Sequence, residues 1–358
     1  MSETSSAPSP GSVVPMPLTQ APGAGRTCRA VGFDRTGGPE VLIRRDLVQP
    51  EPGPGEVAVR VAYAGVNFVE VLQRRGAVPV PVPALPFVPG LEVSGRVAAV
   101  GPGIVDLPVG TAVAAFTIVG GYAELVNVPA ARVFPLVGAA AGMSLEAAAA
   151  AVTIGTSAVA MLTELARVGP RSVVVVSAAA GGAGAAIAAV ARHLGVSVLI
   201  GTVGSADKVQ VARAHGYDIV VPHADLATAV HSATGGRGAD VVLDSVGGQV
   251  FEAGLAALAP RGRLVKFGSA AGRTESLPSP MALALANVAV MGWSSIDLAL
   301  AAPEIIAPAT EKALALVADG SLVIPVQEVF YLSDAAKAHR LLEGRRTTGK
   351  LLLLAGQA

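Results

Sequence analysis

Cysteine is nearly missing from this chain of 358 residues: Cys28 stands alone. One thiol cannot form a disulfide framework within the chain, nor supply a cysteine-rich zinc lobe. The lack of disulfides suits a reducing compartment, and a cytoplasmic location is the expectation. Charge is scarce as well. Only 15% of the residues are charged, and 26 basic side chains cancel 26 acidic ones. That balance leaves no basic stripe for nucleic acid and no basic amphipathic helix for a membrane surface. A neutral surface rich in Ala and Gly points instead to self-association that covers apolar area. The most apolar runs are short: Val173–Ala180 and Leu351–Ala355 fall short of the ~20 residues a spanning helix needs. The longer alanine-rich stretch from Ala147 carries Thr153, Thr156 and Ser157 and reads as a buried helix. Residues 1–26 are dominated by Ser, Pro, Gly and Ala. They lack the basic start and apolar stretch of a secretory signal and read as a disordered tail.

What is present falls into two textures. From Cys28 to Pro135, short β-rich runs alternate with Pro and Gly turns, as in "QPEPGPGEVAVRV" and "GGYAELVNVP". Such spacing predicts a compact β-barrel-like domain over residues 27–150. Ser144 is placed to cap a helix, with Glu146 in its first turn. From Ser172 strands alternate with helices, and "SVVVVS" has the continuous β-branched character of a strand buried on both faces. The pattern predicts βαβ units and a doubly wound parallel sheet over 151–300, closed by an edge strand at Val288–Trp293. The remaining residues, 301–358, carry a helix near Glu304–Asp319, a strand at Val323–Phe330, a helix capped by Ser333-Asp334, and a final strand at Lys350–Leu354. The simplest account is an α/β protein: a β domain interrupted by a Rossmann-type domain, with the last segment returning to the first.

The strand Ser172–Ser177 runs into Ala178-Ala179-Ala180-Gly181-Gly182-Ala183-Gly184 and then an alanine-rich helix. This is an A-x-G-x-x-G variant of the dinucleotide fingerprint. Gly181 lets the backbone approach a pyrophosphate, and Gly184 permits close packing of helix on strand. The free N–H groups and positive dipole end at the helix start, with Ala180, Gly182 and Ala183 beside them, then face the phosphates. A tight strand–helix turn without a ligand is the bland alternative. The second strand ends in "LIGTVGSADK", with no acidic residue before Asp207. A carboxylate there would hold the ribose hydroxyls of NAD and repel a 2′-phosphate, so its absence permits NADP. Ser205 can donate a hydrogen bond and Lys208 can place a point charge. A plain helix cap and a solvated lysine are the other reading.

Seven separated segments then match one family in order: "GVNFVEVLQRRG" (Gly65–Gly76), "PFVPGLEVSGRVAAVG" (Pro86–Gly101), "GGYAE" (Gly120–Glu124), "AAGGAG" (Ala179–Gly184), "GSADK" (Gly204–Lys208), "DSVGG" (Asp244–Gly248) and "TTGKLLL" (Thr347–Leu353). From Cys28 onward the chain resembles the zinc-free quinone oxidoreductases of the medium-chain dehydrogenase/reductase superfamily, the zeta-crystallin-like group. The resemblance implies a GroES-like catalytic domain, an inserted Rossmann domain, an active site between them, NADPH as cofactor and a homodimer paired through the edge strand. It implies that Ser205 and Lys208 read the 2′-phosphate. His223 stands where relatives often have a tyrosine beside that phosphate, and Arg345 where relatives bring an arginine to the cofactor. Ser245 and Val246 end the fourth strand, and Phe267 and Gly268 should border the nicotinamide.

The same resemblance argues against zinc. Asn67 and Leu91 occupy the places where zinc-using alcohol dehydrogenases carry Cys and His; Glu92 remains, and one carboxylate does not make a metal site. The five histidines read as surface or packing residues. Asn67 is the leading candidate to hydrogen-bond the substrate carbonyl or the nicotinamide ribose. Thr153 and Thr156 are expected to line the cleft, with Thr153 the catalytic candidate. Glu70 and Arg74 are expected to form an i,i+4 pair that orders their loop. The aromatics that relatives carry near Ser157 and after Gly76 are missing, which leaves the substrate open and a phenolic proton donor unavailable there. The implied activity is NADPH-dependent reduction of a quinone or of an alkene conjugated to a carbonyl. Enoyl reduction of a polyketide or fatty-acyl thioester is an alternative, and a non-catalytic NADPH-binding sensor or scaffold is a second.

Overall fold

The computed structural model describes residues 25–77, 84–272 and 275–356. The expected tail lies outside the described residues up to 24, and Val78 is outside them too; Gly25 and Arg26 already belong to a strand. In chain order, β1 (Gly25–Gly32) and β2 (Ile43–Pro50) pair antiparallel. Then come β3 (Glu56–Val66), α1 (Phe68–Arg75), β4 (Glu92–Val100), β5 (Ala112–Phe116), β6 (Leu125–Pro129) and β7 (Val133–Pro135). The long helix α2 (Leu145–Ala160) follows, continued by a π-helical turn at Met161–Leu165. The alternating segment comprises β8 (Val173–Val176), α3 (Gly182–His193), β9 (Val198–Val203), α4 (Val209–Ala214), β10 (Ile219–Pro222), α5 (Leu226–Thr234), β11 (Ala239–Asp244), α6 (Gln249–Ala256), β12 (Leu258–Lys266), α7 (Pro280–Ala286) and β13 (Ala289–Gly292). The chain ends with α8 (Ser295–Ala301), α9 (Pro303–Ala318), β14 (Val326–Tyr331), α10 (Ala335–Glu343) and β15 (Lys350–Leu354).

The alternating segment builds a six-stranded parallel sheet in the order β10-β9-β8-β11-β12-β13. The order reverses between β8 and β11, so the carboxyl ends of those strands flank the crevice in which ligands bind in open α/β sheets. All four valines of β8 are buried, as a strand covered on both faces requires. The second sheet has seven strands, and its order β14-β15-β3-β4-β5-β7 brings the last two strands of the chain beside β3, with β6 also on β3. Leu351–Leu354 of β15 pair antiparallel with Val66–Tyr63, which delivers the end of the chain to the residue just before Asn67.

Helix α2 sits between the two sheets. It packs against β3, β4 and β5 on one side and against α3 and α9 on the other. Ser144 caps it as expected, its Oγ accepting from Ala147 N at 3.1 Å. With its π turn it forms a helix long and apolar enough to cross a membrane by length and composition, but 72% of that apolar window is buried inside the fold. An apolar helix mostly buried between two layers is a core helix. The helix expected to be capped by Ser333-Asp334 is entered through a 3₁₀ turn, Leu332–Asp334, and Asp334 makes no capping bond to it.

Candidate functional site

The head of α3 is where sequence and geometry coincide most directly. Ala178 takes a left-handed φ of +52° and turns the chain sharply out of β8. Helix α3 then starts with Gly181 as N-cap, so the first N–H groups of the helix have no intrahelical acceptor. A Cβ on Gly184 would lie 2.5 Å from the Ala179 carbonyl oxygen, so only glycine lets the helix approach the strand this closely. Gly182 faces the other half of the site: a Cβ there would lie 3.2 Å from Lys350 N. The free N–H groups, the positive helix end and the tight approach fit a pyrophosphate.

Basic groups gather at the carboxyl ends of the neighbouring strands. Lys208 Nζ donates to the carbonyls of Arg345 (2.7 Å) and Thr347 (3.1 Å), joining the start of α4 to the loop before β15. Burial and the nearby Arg345 charge both push the Lys208 ammonium below its ordinary value, against the pull of Asp207. Arg345 adopts φ +55° and donates to Ala270 O at 3.3 Å. His223 Nδ1 lies 2.8 Å from Thr202 Oγ1, while a Cβ on Gly204 would be 3.7 Å from Nε2. Burial lowers the His223 pKa, and Arg345 adds to the effect. Ser205, partnered with the Asp207 carboxyl it helps to hold down, completes the group. Ser245 and Val246 cross the next strand ends, with Ser245 N donating to Ser177 Oγ and Val246 N to Asp244 Oδ1, both at 2.9 Å. Phe267 N reaches Asp244 O, and Gly268 lies close under Ser245, where a Cβ would be 3.0 Å from Ser245 O. The structure therefore gathers Ser205, Lys208, His223, Ser245, Val246, Phe267, Gly268 and Arg345 along one sheet edge.

Across from this edge lies a corner built from side chains. Asn67 begins α1. Its Oδ1 accepts from Lys350 Nζ at 2.7 Å, and its Nδ2 donates to Glu92 Oε1 at 3.0 Å. Lys350 also pairs with Glu92 Oε1 at 2.5 Å, and both are buried, at 4% and 0% exposure. The other Glu92 oxygen accepts from Thr153 N at 2.6 Å, which locks α2 to the corner. A Cβ on Gly65 would collide with Glu92 Oε1, so that glycine makes room for the carboxylate. Thr153 Oγ1 is buried and has no hydrogen-bond partner within the protein. An orphaned buried hydroxyl next to the Glu92–Lys350 pair is a donor that a bound polar ligand would satisfy.

Glu70 does not pair with Arg74. Its Oε2 accepts from Asn67 N (2.8 Å) and Tyr122 Oη (2.6 Å), and its Oε1 from Leu91 N (2.9 Å). Three donors outcompete a helical neighbour. Arg74 turns instead to Gly37 O, Glu343 and His339 Nδ1, and Tyr122 Oη links back to His339 Nε2 at 3.0 Å. Burial pushes the Glu70 carboxyl up to about 7, opposed chiefly by the Tyr122 hydrogen bond. Burial, with help from Arg74, pushes the His339 imidazole down to about 3. Thr156 also departs from expectation. It is fully buried and bonds to Thr310 Oγ1 of α9 at 3.1 Å, so it belongs to helix packing rather than to the cleft.

Sequence reasoning misses Lys350 at this corner and treats Glu92 as a lone carboxylate; His339, read as a surface or packing residue, is fully buried against Tyr122 and Arg74. A signal exists. Glu92 interrupts the buried run "GLEVSG" and Lys350 opens the apolar run "KLLLL". Opposite charges in two buried strands must find each other or unfold the strands. Among the described residues, no three His, Cys, Asp or Glu side chains are grouped to hold a metal ion.

Comparison with known proteins agrees with this architecture. A family model described as an alcohol dehydrogenase GroES-like domain matches residues 53–138, and one described as a zinc-binding dehydrogenase matches residues 215–353. The chain is 35% identical to the quinone oxidoreductase of Pseudomonas aeruginosa, over 91% of its own length and 99% of that protein's. It is 31% identical to a 2-haloacrylate reductase of a Burkholderia species, over 91% and 98% of the two chains. In three dimensions it is similar to the Escherichia coli quinone oxidoreductase solved in complex with NADPH, with a TM-score of 0.83, 32% identity and coverage of 91% and 99%. With a GroES-like β domain joined to a parallel Rossmann sheet and this degree of similarity along nearly the whole of its relatives, the chain belongs to the quinone oxidoreductase branch of the medium-chain dehydrogenase/reductase superfamily.

Proposed function

We propose that this protein is an NADPH-dependent oxidoreductase that reduces a quinone, or an alkene conjugated to a carbonyl, without zinc. The observation that carries the reading is the meeting of two features: a glycine-lined helix head at Gly181–Gly184, and a polar corner at Asn67, Thr153, Glu92 and Lys350. When bound, the nicotinamide supplies a hydride. Binding and orientation fall to the chain. The N-terminal N–H groups of α3 hold the pyrophosphate. Ser205, Lys208, His223 and Arg345 receive the 2′-phosphate, whose charge favours this basic pocket over one with a carboxylate. Ser245, Val246, Phe267 and Gly268 border the nicotinamide. Asn67 donates its remaining Nδ2–H to the substrate carbonyl or the nicotinamide ribose, and Thr153 Oγ1 offers a second hydrogen bond nearby. A preorganised donor aimed at an oxygen that gains negative charge is the zinc-free way to favour hydride transfer. The proton that completes reduction comes from water. Residues 27–150 and 301–358 form the catalytic part and 151–300 the dinucleotide-binding part.

The quinone oxidoreductase relatives support the quinone arm, and the 2-haloacrylate reductase supports the activated-alkene arm. The test is NADPH oxidation against a panel of quinones, 2-substituted acrylates and enoyl thioesters. Turnover of a quinone or a conjugated carbonyl compound is expected. Turnover confined to enoyl thioesters would favour acyl-chain reduction, and tight NADPH binding with no turnover at all would favour a sensor. We further propose a homodimer paired through the edge strand β13, beside which α7 exposes Met281 and Leu285 at 66% and 77%. Sedimentation at micromolar concentration should find two chains per particle; a monomer there would rule out this pairing.

A further inference from the structure

The buried ion pair at the corner has a geometry that reaches beyond holding strands together. Lys350 Nζ lies 2.7 Å from the oxygen of the Asn67 amide, and the Glu92 carboxylate lies 3.0 Å from its nitrogen. The two charges are themselves joined at 2.5 Å, so amide, cation and carboxylate close a triangle. An asparagine amide can otherwise flip by half a turn at little cost. Here the flipped amide would set its N–H₂ against an ammonium and its oxygen against a carboxylate, inside a region where both charges are buried. Like dipoles against like charges cost most where water is absent.

Resting on the reading that Asn67 donates to the reacting partners, we propose that Lys350, held by Glu92, is a positioning residue for hydride transfer, fixing the Asn67 amide with its nitrogen toward the cleft. One N–H of that nitrogen goes to Glu92, which leaves the other for the ligand. A buried ion pair is poor evidence of stability, since apolar replacements often fold as well. Its worth here is orientation. The design draws on three remote stretches of chain: β15 brings Lys350, β4 brings Glu92, and the end of β3 brings Asn67.

The test is a double-mutant cycle between the pair and the amide. The pair variant is Lys350→Met with Glu92→Gln, which removes both charges together and leaves neither one buried alone. A second pair-side variant, Lys350→Arg, keeps the charge but moves the cation away from the amide oxygen, and its thermal unfolding is measured beside the wild type's. Each is combined with Asn67→Ala. The readouts are NADPH affinity by fluorescence, and kcat and KM with the best acceptor. With Asn67 in place, the pair variant should lower kcat about 10–100-fold with NADPH affinity within about threefold, and Lys350→Arg should lower it about three- to tenfold. On top of Asn67→Ala neither should lower it further, because a residue that acts only through the amide has nothing left to position. Losses that multiply with and without the amide, or a kcat unchanged by either variant, would overturn the proposal. If the pair variant fails to fold, the Lys350→Arg cycle decides by the same criterion. A parent enzyme that neither binds nor oxidises NADPH would instead sink the reading of function, a result visible before any variant is made.

Discussion

At the head of α3 the site is made of backbone. Its polar groups are N–H groups, its fit comes from missing Cβ atoms at Gly182 and Gly184, and every part lies within Ala178–Gly184. At Asn67 the site is made of side chains. Asn67, Glu92, Thr153 and Lys350 come from four elements, and Glu70, Tyr122, His339 and Arg74 continue the network into the β domain behind them. The difference follows from what each end must recognise. A phosphate is met well by a row of fixed amides, whatever side chains flank them. A reacting oxygen must be met by one donor in one orientation, and that requires partners that hold the donor still.

The largest effect is expected at the backbone end. Gly184→Val places atoms within 2.5 Å of the Ala179 carbonyl and must push α3 off the sheet. NADPH affinity should fall at least about 100-fold, and the fold should lose about 1–3 kcal/mol. Titration and thermal unfolding measure both, and wild-type affinity in this variant would reduce the turn to a plain connection. At the phosphate edge, Lys208→Ala should weaken NADPH about 10–100-fold and leave NADH within about twofold, since only the former carries the 2′-phosphate. Equal losses for the two cofactors would limit Lys208 to its bonds with the Arg345 and Thr347 carbonyls.

The smallest effect is a slope, and it sharpens the side-chain end. The Glu70 carboxyl is raised from 4.5 to about 7 by burial, so the folded protein binds this proton more tightly than the unfolded chain does. Its contribution is therefore fully present below about 4.5 and is lost as the pH rises through about 7. Glu70→Gln cannot titrate, and its unfolding temperature should fall less than the wild type's over that window, by roughly 1–4 °C. Parallel curves for the two proteins would mean that Glu70 is charged throughout.

Legibility in the sequence followed the same division. Ser144 as a cap, the four valines of β8 and the glycine turn before α3 rest on rules that act over a few neighbouring residues, and the structure has each where expected. The Glu70–Arg74 pair failed because helical spacing says which side chains are neighbours, not which distant donors compete for them. Tyr122 and Leu91 approach Glu70 from other parts of the β domain, and Glu343 approaches Arg74 from α10. Thr156 failed for a related reason. It lies three residues beyond Thr153 on α2, and the packing of α9 decides that it faces Thr310 rather than the cleft.

By itself the amino-acid order determined the two textures of the chain, the parallel sheet and the glycine turn. Those are properties of local backbone preference and residue chemistry, which need no knowledge of distant contacts. Only the tertiary structure decided that residues 67, 92, 153 and 350 meet, and that a lysine 283 positions away touches the Asn67 amide. The reason is physical: burial makes isolated charges and polar groups costly, but which partners relieve that cost depends on how the sheets close, and closure is a property of the whole chain.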